Sequence, residues 1–308
     1  MTADLAFHAR FAGLDWSGEV PLRQFDPADG PGPGAIAVRR RAASGILAPN
    51  RAVGRASIAA HGVRFNCDDE VSFDIESGSS IGWVCGPAWH GALPVSFYSS
   101  VAAITLAMRG MLPLHASAVV LHNKAWLIAG PSGAGKSTLT AELIKAGALL
   151  LADDLTPLTL APGPVAWRGR PAMRLHPASC EGLAIEGVPE PTDDGRGKLL
   201  VRPSLRAADT GWPVGGIVLL GDAIGAGPGP GPSPEYRALA YGSILFRPRI
   251  LTALPGRAQT RENMLALART VPMALLPQVQ GFDADAQGRR TARALAVIER
   301  LATSGQLR

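Results

Sequence analysis

The segment from Gly130 to Ser137 has the residue types and spacing of a loop that binds phosphate. Its sequence, Gly-Pro-Ser-Gly-Ala-Gly-Lys-Ser, satisfies the pattern G-x-x-x-x-G-K-S/T. Glycines let backbone amides curve around phosphate oxygens, Lys136 can neutralise the β- and γ-phosphates, and Ser137 can bind Mg²⁺. The segment therefore predicts a P-loop for ATP and Mg²⁺. Its expected contacts are Gly130, Ser132, Gly133, Ala134, Gly135, Lys136, Ser137 and Thr138.

Two adjacent carboxylates, Asp153 and Asp154, follow this segment. An isolated Asp-Asp pair is more often a turn or a helix cap. Downstream of a P-loop the pair has another use, because phosphoryl transfer needs a carboxylate to hold Mg²⁺ and a group to accept the proton of the attacking hydroxyl. Like charges this close should also raise one pKa unless a metal offsets them.

The surrounding pattern predicts the elements that position these residues. We expect strands over His115 to Val120 and Ala125 to Ala129, a helix over Ser137 to Ala146, and a strand over Leu149 to Ala152. This order is typical of a βαβ unit in a nucleotide-binding α/β domain. It places the two aspartates at the edge of a parallel sheet, where α/β proteins bind ligands.

The rest of the chain predicts two domains. Residues 1 to about 95 alternate short apolar runs with turn formers, which indicates a small β-rich N-terminal domain, and residues 96–308 form the P-loop domain. Apolar spacing predicts a helix over Pro94 to Arg109 that joins them, and another over Arg290 to Ala302. The segment from Gly225 to Pro234 is rich in glycine and proline and predicts a mobile surface loop.

Composition excludes several classes of protein. With 47% hydrophobic and 18% charged residues, the chain is of the folded, globular type. The net charge of +5 comes from dispersed arginines, whereas a nucleic-acid-binding protein would cluster them. The three cysteines lack the close spacing of a zinc or redox site. No segment resembles a signal peptide or a membrane span, so we expect a cytoplasmic protein that binds neither membrane nor nucleic acid.

The spacing of three short segments resembles the catalytic core of HPr kinase/phosphorylase-like proteins, which is similar to that of phosphoenolpyruvate carboxykinase. The segments are Leu114-His115-Ala116-Ser117-Ala118, Gly130 to Ser137, and Ala152-Asp153-Asp154. The match covers residues 111–156, and Ala116 stands where the family has a glycine.

The resemblance implies a role for each matched residue. His115 would lie beside the phosphates, Lys136 and Ser137 would hold ATP and Mg²⁺, Asp153 would lie nearer the metal, and Asp154 would be the base for a serine hydroxyl. Without the resemblance, His115 is better explained as a strand-end histidine bonded to a backbone carbonyl. From the chemistry alone, Arg174 and Lys198 are candidate phosphate or substrate contacts, because charge on the transferred group calls for a further cation.

The chain also departs from the family. Ala166 stands where bifunctional members carry a glutamate, so we expect no phosphorolysis. The stretch from Arg170 to Pro177 is more similar to kinase-only relatives, which act on lasso-peptide precursors or on free serine. The resemblance thus implies a serine kinase, first of all for a precursor peptide, and possible homo-oligomers.

Two alternatives remain open on the sequence. One is a kinase for free serine or another small hydroxyl metabolite, which needs a closed pocket and no peptide groove. The other is a nucleotide-binding regulator without phosphoryl transfer, which needs only the loop. The presence of His115, Asp153 and Asp154 favours a kinase over that regulator.

Overall fold

In a computed structural model of the chain, the described residues are 5–46, 49–67, 71–87, 89, 91–189, 197–221, 233–277, 281 and 283–304. Most of the loop predicted between Gly225 and Pro234 therefore lies outside them. The chain divides into two compact units, one of Met1–Pro113 with Phe246–Glu262 and one of Leu114–Leu245 with Asn263–Arg308. The domain boundary expected between residues 95 and 96 stays a prediction.

Strands and helices alternate unevenly along the described chain. The strands are β1 Phe7–Phe11, β2 Leu14–Gly18, β3 Asp26–Pro27, β4 Ile36–Arg40, β5 Arg51–Val53, β6 Ala56–Ala59, β7 Gly62–Asn66, β8 Val71–Glu76, β9 Ser80–Cys85, β10 Leu112–Leu114, β11 Ser117–Leu121, β12 Lys124–Ala129, β13 Leu149–Ala152, β14 Thr156–Thr159, β15 Val165–Ala166, β16 Met173–Leu175, β17 Val188–Pro189, β18 Leu199–Val201, β19 Trp212–Leu220 and β20 Met273–Leu276. The helices are α1 Ala102–Met108, α2 Lys136–Lys145, α3 Pro177–Leu183, α4 Pro234–Ser243, α5 Pro248–Leu251, α6 Arg257–Thr270 and α7 Ala284–Ser304. None of these helices is both long enough and apolar enough to cross a bilayer.

The first unit contains one sheet in the order β3-β1-β2-β4-β9-β8-β7-β6-β5. Most neighbours are antiparallel, as expected for strands joined by short turns, and β4 pairs in parallel with both β2 and β9. An aromatic cluster fills its core, with the rings of Phe11 and Phe25 stacked at 4.3 Å and Trp16 beside them. The helix predicted from Pro94 begins as a π-helical turn at Phe97–Val101 and continues as α1 in this unit.

The sheet of the second unit differs from the prediction in one respect that matters for the site. Its order includes β19-β12-β11-β13, so β11 lies between the two strands that flank α2. Because β11 is antiparallel to both β12 and β13, those two strands run in the same direction without touching. The sheet is therefore mixed and not the parallel one expected, although β12 is parallel to β19 and β19 to β20. The tight turn at His122 and Asn123, both with positive φ, joins β11 to β12 as a hairpin, and β13 pairs with the other side of β11.

Helix α2, which follows the glycine-rich segment, is fixed to the C-terminal helix α7 by a buried ion pair. The guanidinium of Arg290 donates from Nε to both carboxylate oxygens of Glu142, at 3.1 and 2.9 Å, and from Nη2 to Oε1. The side chain of Glu142 is 3% exposed and that of Arg290 is 12% exposed. Because this bidentate ion pair is shielded from water, it stabilises the packing of α2 against α7 as long as both partners are present.

We expect Arg290→Met to destabilise the protein, since the substitution leaves the Glu142 carboxylate buried without its counter-charge. The loss should be about 3 kcal/mol in the free energy of unfolding, measured by urea denaturation. Arg293→Met is the matched control, because Arg293 lies on the same helix and is exposed. Equal losses in the two variants would show that the ion pair does not stabilise the fold.

Candidate active site

The segment from Gly130 to Ser137 forms a loop between β12 and α2, and its backbone requires glycine. Gly130 has φ of 147°, and a Cβ there would come within 2.6 Å of the carbonyl oxygen of Leu220. Gly133 and Gly135 have φ of 83° and 88°, in the left-handed region that side chains disfavour. Helix α2 begins directly after Gly135, so its first N–H groups, which have no intrahelical partner, border this loop.

Lys136 is buried at the start of α2 and bends back over the loop. Its Nζ donates to the carbonyl oxygens of Gly130 and Pro131, each at 3.0 Å. Burial lowers the pKa of Lys136, the charges of Asp154 and Asp153 oppose that effect, and the charge of Lys198 adds to it. Since carbonyl dipoles compensate an ammonium only partly, a bound polyanion would stabilise Lys136 further.

Asp153 directly follows β13 and is 1% exposed. Both of its carboxylate oxygens accept hydrogen bonds. Oδ1 accepts from the hydroxyl of Ser137 at 2.9 Å and from that of Ser117 at 2.7 Å. Oδ2 accepts from the backbone N–H of Arg174 at 2.9 Å. The carboxylate is therefore fixed against the last residue of the glycine-rich loop.

Asp154 follows in a left-handed backbone conformation, with φ of 67°, and contacts His115. Nδ1 of His115 lies 3.1 Å from the Asp154 carbonyl oxygen and 3.3 Å from its carboxylate Oδ1. The two side chains are 36% and 30% exposed, so a ligand can reach both. The contact with the backbone carbonyl agrees with the interpretation of His115 as a strand-end histidine bonded to a carbonyl. The contact with the Asp154 carboxylate also places the His115 ring beside the candidate site.

The pKa of Asp154 is not the one raised by the neighbouring carboxylate, although the sequence argument expected one of the two to rise. Burial acts to raise it, but the hydrogen bond from His115 and the charges of Arg170, His115 and Arg174 outweigh burial, so the pKa of Asp154 lies well below its usual range. Arg170 and Arg174 are 3% and 5% exposed. The two buried guanidinium groups and the hydrogen bond from His115 thus offset the repulsion for which the sequence argument required a metal ion.

Arg170 was not predicted as a site residue. It follows Gly169, whose N–H donates to the carbonyl of Leu151 at 2.8 Å, and a Cβ on Gly169 would come within 2.7 Å of the Ala152 Cβ. This close backbone approach to β13 sets Arg170 near Asp154. The sequence signal that could have identified it is Arg168-Gly169-Arg170, two arginines around a glycine downstream of the acidic pair.

The other predicted residues lie around this centre. Arg174 is on β16, which pairs with β18, and Lys198 immediately precedes β18. The charge of Lys198 contributes to the lowered pKa of Lys136, which places Lys198 on the same side of the site. Thr138 bonds to Ser179 of α3, with their hydroxyl oxygens 3.0 Å apart. Ser132 and Gly133 are exposed at the tip of the loop, and Ala134 is half-buried.

The residues present fit a Mg²⁺ ion bound together with phosphate. Asp153 and Ser137 supply a carboxylate and a hydroxyl that already meet at 2.9 Å, and hard oxygen donors of this kind suit Mg²⁺. Within the described part of the chain, no group of three or more His, Cys, Asp or Glu side chains could hold a metal ion. The remaining ligands would have to come from water and from phosphate oxygens, as is usual for Mg²⁺ at nucleotide sites.

Comparison with known proteins gives limited information. No protein-family model matches the sequence, and no curated protein matches it. Among solved structures, the chain is similar to the Hpr(Ser) kinase/phosphatase from Coxiella burnetii, with 16% sequence identity and a TM-score of 0.33. The similarity covers 63% of this chain and 93% of that one. At this level it establishes neither a family nor an activity.

Proposed function

We propose that this protein is an ATP-dependent kinase that transfers the γ-phosphoryl group to a hydroxyl acceptor. One observation carries the proposal. The hydroxyl of Ser137, which ends the glycine-rich loop, donates to the Asp153 carboxylate at 2.9 Å, and the neighbouring Asp154 remains partly exposed beside His115. Binding alone would need only the loop, whereas transfer needs the second carboxylate as well.

The proposed nucleotide contacts follow from the loop. The backbone amides around Gly133 and the N-terminus of α2 would bind the phosphates, and Lys136 would exchange its two carbonyl partners for phosphate oxygens. Ser137 and Asp153 would hold Mg²⁺, which supplies charge neutralisation at the phosphates.

The transfer step then uses Asp154. The acceptor oxygen forms a bond to the γ-phosphorus, the bond from that phosphorus to the bridging oxygen breaks, and ADP leaves with the electron pair. The proton of the acceptor passes to the Asp154 carboxylate. Its lowered pKa keeps this group ionised at neutral pH, so it orients the hydroxyl throughout and takes the proton late, as suits a loose transition state.

Buried cations next to Asp154 have a second use in this scheme. Arg170 and Arg174 act on Asp154 electrostatically and are 3% and 5% exposed, so their charge is little screened by water. Such cations stabilise negative charge on a transferred phosphoryl group without reorganising during the reaction. We assign Lys198 the same kind of role, since its charge already acts on Lys136.

The acceptor we propose is a serine hydroxyl, first of all in a precursor peptide such as that of a lasso peptide, with free serine as the alternative. Purified protein should be incubated with Mg²⁺ and ATP radiolabelled at its γ-phosphate, together with free serine, HPr or serine-containing peptides. We expect label on a peptide. Label on free serine alone would assign the protein to small-molecule metabolism, and label on no acceptor would favour the regulator.

A further inference from the structure

We propose that Ser117 is a positioning residue for metal binding, whose hydroxyl holds the Asp153 carboxylate in the orientation that meets Mg²⁺. This inference rests on the proposed function and assigns a role to a residue that neither the glycine-rich loop nor the transfer step uses. Ser117 does not contact the nucleotide in this account; it acts through Asp153.

The hydrogen bonds around Asp153 carry the inference. Its Oδ1 receives two hydroxyl donors, Ser117 at 2.7 Å and Ser137 at 2.9 Å, while its Oδ2 receives the Arg174 N–H at 2.9 Å. Ser137 is also the proposed metal ligand and cannot by itself fix the carboxylate. Ser117 and the backbone of Arg174 bind opposite oxygens, so together they prevent the carboxylate from rotating.

The position of Ser117 within β11 explains why a serine there is informative. Ser117 is 0% exposed, and its neighbours Ala116, Ala118 and Val119 are equally buried and apolar. A hydroxyl in such surroundings destabilises the fold unless it is hydrogen-bonded, and an alanine or valine would pack without that requirement. The hydroxyl instead donates to a carboxylate, which is a stronger bond than one between neutral groups.

The register of the sheet brings Ser117 and Asp153 together. Ala118 pairs with Ala152, which directly precedes Asp153, and Ser117 pairs with Ile128 near the start of the glycine-rich loop. Because β11 lies between β12 and β13, its first residue meets both the loop and the aspartate at the same edge of the sheet. The inserted strand therefore contributes a donor that a parallel βαβ unit would not place there.

The test is the dependence of nucleotide affinity on Mg²⁺, measured by calorimetry with a non-hydrolysable ATP analogue. For each protein, the Kd is measured in EDTA and in saturating Mg²⁺. The Kd in EDTA divided by the Kd in Mg²⁺ reports how much the metal contributes to binding. We expect Ser117→Ala to lower this ratio about 10- to 100-fold, the usual effect of removing a group that orients a metal ligand. The Kd in EDTA should stay within about twofold of the wild type, because the loop itself is unchanged.

Two variants separate positioning from a general packing effect. Thr156→Val removes another buried hydroxyl, which donates to the Ala116 carbonyl at 2.7 Å and not to Asp153, and it should leave the ratio unchanged. Ser117→Thr keeps a hydroxyl on the strand and should restore most of the ratio that Ser117→Ala loses. If Ser117→Ala does not fold, Ser117→Cys preserves the volume with only a weak donor and should give the same loss.

The outcomes distinguish the inference from the function on which it rests. A wild-type protein that binds the analogue more tightly with Mg²⁺, and a Ser117→Ala variant that does so equally, would overturn the role of Ser117 and leave the kinase proposal standing. A wild-type protein with no nucleotide binding, or with no effect of Mg²⁺, would contradict both. Loss of the ratio in Ser117→Ala but not in Thr156→Val supports the inference.

Discussion

Lys136→Met should lower the rate of phosphoryl transfer by about 1000-fold. The ammonium of Lys136 is buried, and its two partners in the loop are the carbonyl oxygens of Gly130 and Pro131 at 3.0 Å. It is thus positioned over the loop before any phosphate arrives, and once it has exchanged these carbonyls for phosphate oxygens its charge stabilises the transition state. Affinity for ATP should fall by less, about tenfold, since the backbone amides of the loop remain.

The matched control for Lys136 lies at the other end of the same helix. Lys145 also donates its Nζ to a carbonyl, that of Leu183 at 2.8 Å, but it belongs to the last turn of α2. Lys145→Met should therefore leave both the transfer rate and the ATP affinity within about twofold of the wild type. Steady-state kinetics and equilibrium nucleotide binding on the three proteins test this directly. A similar rate loss in both variants would mean that Lys136 acts through the stability of α2.

Asp154→Asn should lower kcat by about 100- to 10,000-fold while ATP affinity changes little. The amide keeps the size of the side chain and an oxygen that can accept from His115, but it carries no charge and cannot take a proton. Because Ser137 donates to Asp153 and Lys136 donates to the Gly130 carbonyl, the proposed contacts of nucleotide and Mg²⁺ remain in this variant. The expected signature is a loss in kcat without a matching rise in the Kd for ATP.

Asp209→Asn is the control for removing one carboxylate from this unit. Asp209 pairs with Arg168, whose Nε lies 3.8 Å from Oδ1 of Asp209. Arg168 lies two residues before Arg170, which acts on Asp154. We expect its kcat to remain within about threefold of the wild type, because Asp209 has no part in the transfer step. If Asp154→Asn retained wild-type kcat, the proton would have another acceptor and the role assigned to Asp154 would be wrong.

The sequence predicted the local elements of the site because they depend on neighbouring residues. The strand ending at Ala129, the helix expected from Ser137 and the strand over Leu149 to Ala152 follow from apolar runs bounded by glycines. The structure contains all three, and its helix begins one residue earlier, at Lys136. The glycine requirement also follows from local geometry, since Gly130 has no room for a Cβ. What these residues do chemically remains part of the proposal.

Long-range features could not be predicted in the same way. Periodicity indicates that β11 is a buried strand but not that it inserts between β12 and β13, because strand order depends on contacts far apart in the chain. The same insertion brings Ser117 to Asp153, which is 36 positions away along the chain. The sequence argument expected the pKa of one of the two aspartates to rise, and the lowered pKa of Asp154 could not be foreseen for a related reason, since the position of Arg170 depends on a backbone contact between Gly169 and Leu151.

The central claim is that this protein transfers the γ-phosphoryl group and does not only bind ATP. It is tested most directly by a single-turnover reaction, with protein in excess over ATP radiolabelled at its γ-phosphate, Mg²⁺ present and the serine acceptors pooled. We predict that label leaves ATP and becomes covalently attached to an acceptor with the wild type, and stays on ATP with Asp154→Asn although both proteins bind the nucleotide. Wild-type protein that binds ATP and Mg²⁺ and leaves all label on ATP would contradict the claim.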